Sequence, residues 1–255
     1  MPEAETRDAF LGGKVNVRQP REGYRAGADA VLMAAAVPAV AGDTVLELGC
    51  GVGTAALSLC ARVAGVTVTG VEVQPAYADL AAANAIENKA DFIVHCADLA
   101  ALPIELRART FDHVMMNPPY FRRDIGRPSP DRGRETAFGE VTPLSVWIDM
   151  ATRRLKHGGW LTVIHRASRL GDIMAAMDDR LGSHRIRPLA PRTGRDALTV
   201  IVQARKGGRA PLRLLAPLIL HQGDQHPGDT AHFTPLARAI LQDGAALPMD
   251  EAGEK

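Results

Sequence analysis

Three cysteines in 255 residues, Cys50, Cys60 and Cys96, lie in apolar surroundings with no Cys-x-x-Cys pair among them. Such sparse, unpaired cysteine predicts reduced structural thiols and a cytoplasmic protein rather than a disulfide framework. The chain has no run of about 18 uninterrupted apolar residues, so no membrane helix is expected. Its opening stretch MPEAETRDAF is polar and lacks the apolar core of a secretion signal. An excess of one charge is missing as well. The 30 lysines and arginines against 29 aspartates and glutamates leave a formal net charge of +1, so any electrostatic footprint must be local. Repeats and low-complexity tracts are absent too.

What is present is alternation. From Thr44 onward, β-branched apolar runs trade places with Ala- and Leu-rich stretches, the pattern of a mostly parallel sheet covered on both faces. Strands are predicted at TVLEL (from Thr44), VTVTGVEV (Val66), DFIVHCAD (Asp91), FDHVMM (Phe111), WLTVIH (Trp160) and ALTVIVQAR (Ala197). Helices are predicted from Thr54 to Val63, Pro75 to Glu87, Pro143 to Leu155 and Leu170 to Leu181. Pro75 suits a first helical turn, and His157-Gly158-Gly159 a helix stop. Residues 1–43 read as a lead-in with one short helix, Ala30 to Val37, capped by Asp29. Residues 44–210 form the main domain. Residues 211–255 add a strand-like run, LRLLAPLIL, and a polar, acidic end. A chain of this length can bury roughly 70 to 75% of its unfolded surface, enough for one α/β domain with such additions.

Polar residues recur where these strands end. Glu47-Leu48-Gly49-Cys50-Gly51-Val52-Gly53 follows the first strand and opens a helix. Glu72 ends the second strand, Asp98 the third, and Asn117 follows the fourth. Spacings of 25, 26 and 19 residues are those of successive strand-helix units, so the four sites converge on one edge of the sheet. The glycines at 49, 51 and 53 do not match the G-x-G-x-x-G of dinucleotide sites. After Asn117, two prolines stiffen the exit from the strand, because each fixes φ and forces an extended residue before it.

The leading acid with G-x-G-x-G resembles motif I of the class I, Rossmann-like methyltransferases that use S-adenosylmethionine (SAM). Asn117-Pro118-Pro119-Tyr120 resembles their motif IV in enzymes that methylate an amino nitrogen conjugated with a π-system. Together with the segment Gln19 to Leu32 and with Ala204-Arg205-Lys206-Gly207-Gly208-Arg209, the chain is similar to the bacterial N6-adenine methyltransferases acting beside the anticodon of valine tRNA. The similarity runs from about Leu11 to Leu241. It departs after Phe121, where Arg134-Glu135 stands in place of an Arg-His-Glu.

The resemblance implies a seven-stranded, mostly parallel sheet flanked by helices, SAM as cofactor, no metal, and tRNA as partner. It implies a cofactor site of Glu47, Gly49, Cys50, Gly51, Gly53, Glu72, Val73, Asp98 and Leu99. Glu72 would take the ribose hydroxyls and Asp98 the adenine amino group. Asn117, Pro118, Pro119 and Tyr120 would be catalytic. The carbonyls of Asn117 and Pro118 would accept the N–H groups of the target amine and favour its pyramidal form, and Tyr120 would stack on the base. Phe121, Arg205 and Lys206 are candidate substrate contacts.

Charge supports a nucleic-acid partner locally. Arg185 to Arg213 holds eight basic residues and one acid, whereas Gln222 to Lys255 holds six acids and two bases. The loop from Arg122 to Glu140, with five arginines and four acids, reads as a lid. His221, Asp224, His226, Asp229 and His232 match no metal-ligand spacing. Two other readings stay open: a glutamine N5 methyltransferase acting on a release factor, and a SAM- or RNA-binding module without catalysis.

Overall fold

The structure is a computed structural model that describes residues 5–119, 121–122, 139–140, 142–223 and 232–250. Its centre is a nine-stranded sheet. β3 (Thr44–Leu48), β4 (Thr67–Glu72), β5 (Phe92–Cys96), β6 (Phe111–Met116) and the first part of β9 (Leu155–Arg166) run parallel, in the order β9-β6-β3-β4-β5. β11 (Thr199–Lys206) lies antiparallel to β9, and β10 (Leu181–Ala190) lies antiparallel to β11. These seven strands are the expected core. Two short strands, β12 (Arg213–Leu214) and β13 (Leu218–Ile219), add to the free edge of β10. Pro217 lies between them and has no N–H for a ladder, so the expected single run LRLLAPLIL is divided in two. A separate described strand pair, β7 (Phe121–Arg122) with β8 (Gly139–Glu140), flanks the expected lid, whose residues 123–138 lie outside the described ones.

Two apolar layers cover the sheet. One face packs helices α1 (Ala28–Ala36), α2 (Thr54–Arg62) and α3 (Pro75–Glu87) in a layer that includes Met33, Leu59 and Ala81. The other packs the helix Leu144–Arg154 through Trp147, Ile148 and Ala151. Central strands such as β6, with Phe111, Val114, Met115 and Met116 all buried, are apolar on both faces, as a doubly covered sheet requires.

Four expectations needed correction. The lead-in contains a β-hairpin, β1 (Glu5–Phe10) with β2 (Val15–Pro20), ahead of α1. Gly27, not Asp29, occupies the N-cap of α1; Asp29 sits in the first turn, where a negative charge favours the helix dipole. The helix from Leu170 ends at Ala176, because Asp178 accepts the Arg180 N–H in a turn and Leu181 then opens β10. The tail carries a helical turn, Pro235–Arg238, continued by a π-turn, Ala239–Asp243. This tail is bonded to the start of the chain: the Leu247 N–H donates to Ala35 O, and Lys14 Nζ to Asp243 O.

One buried amide ties the hairpin to the rest. Asn84 of α3 accepts the Arg18 N–H at 2.8 Å and donates to the Arg18 and Val52 carbonyls, both at 3.0 Å. Val52 belongs to the glycine loop after β3, so the hairpin, α3 and that loop meet at a single side chain.

Candidate active site

A cavity of about 280 Å³ opens at the C-terminal ends of β3, β4, β5 and β6. Its walls include Glu47, Gly49, Cys50, Gly51, Glu72, Val73, Asp98, Leu99, Asn117, Pro118 and Pro119. Eight of the nine expected cofactor residues and three of the four expected catalytic ones therefore share one space. Gly53 does not line it. With φ at +87°, Gly53 stands at the N-cap of α2, and a Cβ there would lie 2.6 Å from the Phe92 ring. Tyr120 lies outside the described residues.

The glycine loop is shaped from below. Gly49 and Cys50 donate their N–H groups to Val71 O at 2.8 and 3.0 Å, and Gly51 donates to Glu72 Oε2 at 2.9 Å. Gly49 holds φ at +69° and faces the Trp147 ring so closely that a Cβ would meet it at 2.7 Å, which excludes any larger residue. Glu72 also accepts the Gln74 N–H through Oε1 at 2.9 Å. The Val73 N–H bonds the carboxylate as well, and of about four acceptor sites on the group this leaves capacity for a ligand. Asp98 caps the turn Leu99–Ala101 by accepting the Ala100 N–H at 2.8 Å.

Electrostatically the site is a pair of acids taken from water. Glu47 is 3% exposed; burial pushes its carboxyl well above the usual carboxylate range, against the Ala56 N–H that it accepts. Glu72, 6% exposed, is raised by burial too, with the bonds from Gln74 and Gly51 opposing. Both acids would be favoured in the ionised form by a bound cation. At the end of β6, Asn117 Oδ1 is buried and has no hydrogen-bond partner among the described residues. A buried acceptor left unpaired costs ~1 to 3 kcal/mol, a cost that a ligand N–H would remove.

Residues 45–125 match the model of a family described as a methyltransferase domain. A tRNA1(Val) (adenine(37)-N6)-methyltransferase from Porphyromonas gingivalis is 31% identical over 189 residues, covering 70% of this chain and 73% of that one. The chain belongs to this methyltransferase family. A member from Dickeya chrysanthemi is 28% identical and spans 78% of this chain and 80% of its own length. Among solved structures, an Agrobacterium tumefaciens protein titled a predicted O-methyltransferase superposes with a TM-score of 0.69 at 30% identity, over 86% of this chain and 98% of that one. The Thermus thermophilus 16S rRNA N2 G1207 methyltransferase, solved with AdoMet and guanosine, shares the fold: TM-score 0.54, 20% identity, 79% of this chain and 50% of that one.

SAM, the cofactor of this methyltransferase, supplies an electrophilic methyl group on a sulfonium. The residues present fit such a ligand. Buried acids suit its positive charge, Glu72 keeps acceptor capacity for hydroxyls, and Gly49, Cys50 and Gly51 of the glycine loop line the cavity.

Several wall residues carried no role in the sequence reading. Tyr24, Ala26, Ala30 and Met33 come from the lead-in and α1, Thr54 from α2, Tyr77 from α3, and Trp147 from the helix after the lid. Tyr77 Oη accepts the Tyr24 N–H at 2.9 Å and donates to Tyr24 O at 3.3 Å, which fixes the lead-in against the rim. The segment Gly23 to Ala30 was visible as part of the family resemblance, whereas Trp147 had no local signal. Arg205 and Lys206 are placed elsewhere. Arg205 pairs with Trp160 and donates to Gly158 O, while Lys206 donates to Leu155 O; Leu155 in turn pairs with Phe111, where β6 begins. They stand at the end of the sheet opposite the cavity. The side chain of Phe121 lies outside the described residues, as do Arg134, Glu135, Asp224, His226 and Asp229. His221 stacks on Phe233, ring centroids 5.0 Å apart.

Proposed function

We propose that this chain transfers the methyl group of SAM to N6 of an adenine in tRNA, beside the anticodon. The observation that carries the reading is Asn117 Oδ1, a buried acceptor at the end of β6 without a partner among the described residues, followed by two prolines that fix the path of the chain. An exocyclic amine is a poor nucleophile because its lone pair is delocalised into the ring. Asn117 Oδ1 and the Pro118 carbonyl each accept one N–H and hold the nitrogen pyramidal, with its lone pair toward the methyl group. This arrangement stabilises the transition state more than the ground state. No strong base is required, since the nitrogen becomes acidic only after it is methylated. Tyr120 stacks on the flipped base.

Glu72 binds the ribose hydroxyls of the cofactor, Asp98 the adenine amino group, and the loop from Gly49 to Gly53 lies along the methionine moiety. In this reading residues 44–210 are the methyltransferase domain, 1–43 a lead-in that lends Tyr24, Ala26, Ala30 and Met33 to the cavity wall, and 211–255 a C-terminal extension. Among the described residues no helix is long and apolar enough to cross a membrane, which accords with a cytoplasmic enzyme acting on tRNA.

The test is methylation of transcribed valine tRNA with labelled SAM, followed by nucleoside mass spectrometry. N6-methyladenosine is the expected product. Label in a ribose 2′-O-methyl group, or in a release-factor glutamine with the RNA unmodified, would overturn the reading.

A further inference from the structure

The register of the sheet brings a second surface to the cavity's end of the molecule. Met116, the last residue of β6, pairs with Val163 of β9, and three residues on Arg166 pairs with Thr199 of β11. The turn that joins β10 to β11, residues 191–198, therefore stands above the level of Asn117 and three strands to the side. With strands ~4.8 Å apart and ~3.3 Å per residue, the separation is about 15 to 20 Å, which a few nucleotides of single strand can cover.

This turn is shaped for a nucleotide. Pro191, Arg192, Arg195, Asp196 and Leu198 line a shallow depression. Leu198 is 59% exposed, a large apolar side chain on a depression that also carries Arg192 and Arg195. Arg195 donates its N–H to Arg192 O, closing a tight turn in which Gly194 holds φ at +72°. Arg192 is anchored from behind, since its NH1 donates to the carbonyls of Gln222 and Gly223. Arg166 and Arg169 follow at the end of β9, where Arg169 pairs with Asp172, so this end of the sheet carries four arginines against Asp172 and Asp196. The basic residues Arg154, Lys156, Arg205 and Lys206, engaged with backbone carbonyls and an acid of the chain itself, stand at the end of the sheet opposite the cavity.

We infer that the turn 191–198 is a subsite for the RNA strand that flanks the target base, with Arg192 and Arg195 on a phosphate and Pro191 and Leu198 against the next base. The inference rests on the N6-adenine reading above. Asp196 keeps phosphate to the arginine side of the depression and offers an acceptor to a base amino group. Phosphate contacts of this kind set register rather than read sequence, so the turn would aim the strand and leave the choice of base to the cavity.

Filter binding of the same tRNA across a salt series, with methylation measured in parallel, tests it. Arg195→Ala is expected to weaken RNA binding about tenfold and to make the salt slope shallower by ~0.7, one single-strand phosphate contact. Leu198→Ser should weaken binding severalfold with the slope unchanged. SAM affinity and thermal melting should stay at wild-type values in both. Wild-type RNA affinity and slope in both variants would overturn the subsite while the enzyme still methylates the tRNA. So would a loss seen in Arg205→Ala/Lys206→Ala instead. A wild-type enzyme that binds SAM and leaves the tRNA unmethylated would overturn the N6-adenine reading, and the subsite with it.

Discussion

Where β3, β4 and β6 end, Glu47, Glu72 and Asn117 face a cavity; where β6 and β9 begin, Arg154, Lys156, Arg205 and Lys206 each close on a partner within the chain. Arg154 reaches the carbonyls of Leu106, Arg107 and Arg109, and Lys156 holds Asp112 at 2.8 Å. Both ends are rich in polar side chains. They differ at Asn117 Oδ1, a buried acceptor with no partner among the described residues, and that difference separates structural polarity from polarity kept in reserve for a ligand. A count of charges along the chain, such as that over Arg185 to Arg213, cannot see it.

The sharpest way to break this comparison is at the cavity end. Asn117→Ala is expected to lower kcat about 10²- to 10³-fold, the scale of losing one group aimed at the transition state, while SAM affinity stays near wild type. Single-turnover kinetics with calorimetry on the same samples would show it. Equal losses in kcat and cofactor binding would mean that Asn117 belongs to the SAM site instead. Glu72→Ala comes next: each bond to a charged acceptor is worth ~1.5 to 3 kcal/mol, so SAM affinity should fall by about 10- to 100-fold. Part of that fall would be the loop's, since Gly51 and Gln74 lose their acceptor.

Smaller effects concern protons. Burial holds the Glu47 carboxyl high in the free protein, and a bound sulfonium favours its ionised form. SAM binding should therefore release protons and tighten as pH rises, measurable as a buffer-dependent binding enthalpy that Glu47→Gln diminishes. At the other end the sign reverses. Burial works to raise the Asp112 carboxyl, but bonds from Lys156 and Thr44 outweigh it and hold Asp112 at about 2. Its contribution to stability is present above its ordinary value near 3.8 and is lost as pH falls through about 2. Acid denaturation of Asp112→Asn should show less of that dependence, with activity at neutral pH intact. The least change is expected from Arg205→Ala/Lys206→Ala, a few degrees in melting temperature for two surface bonds and none in kcat.

The sheet was legible because β3, β4, β5 and β6 are short apolar runs with polar terminators, and a terminator at the end of a parallel strand is by construction at the cavity. β10 was not legible, since LGSHRIRPLA alternates arginine, glycine and proline with few apolar residues and owes its conformation to β11. The hairpin in the lead-in was hidden for a related reason: its anchors, Asn84 of α3 and Asn88 at the end of that helix, are over 50 residues away in the chain. Trp147 reached the cavity through helix packing over Gly49, a contact that no local pattern announces.

The Asn84 amide has a consequence for how the molecule breathes. It joins β2, α3 and the glycine loop through three hydrogen bonds at 2.8 to 3.0 Å, so releasing the hairpin strips the amide of the two Arg18 bonds that hold it in place for Val52 O. Opening of the first 20 residues and loosening of the cofactor loop then become one cooperative event instead of two. Amide hydrogens of β2 and of the loop should exchange with a common opening free energy, and a bound cofactor should slow both together, although the hairpin itself stands outside the cavity wall.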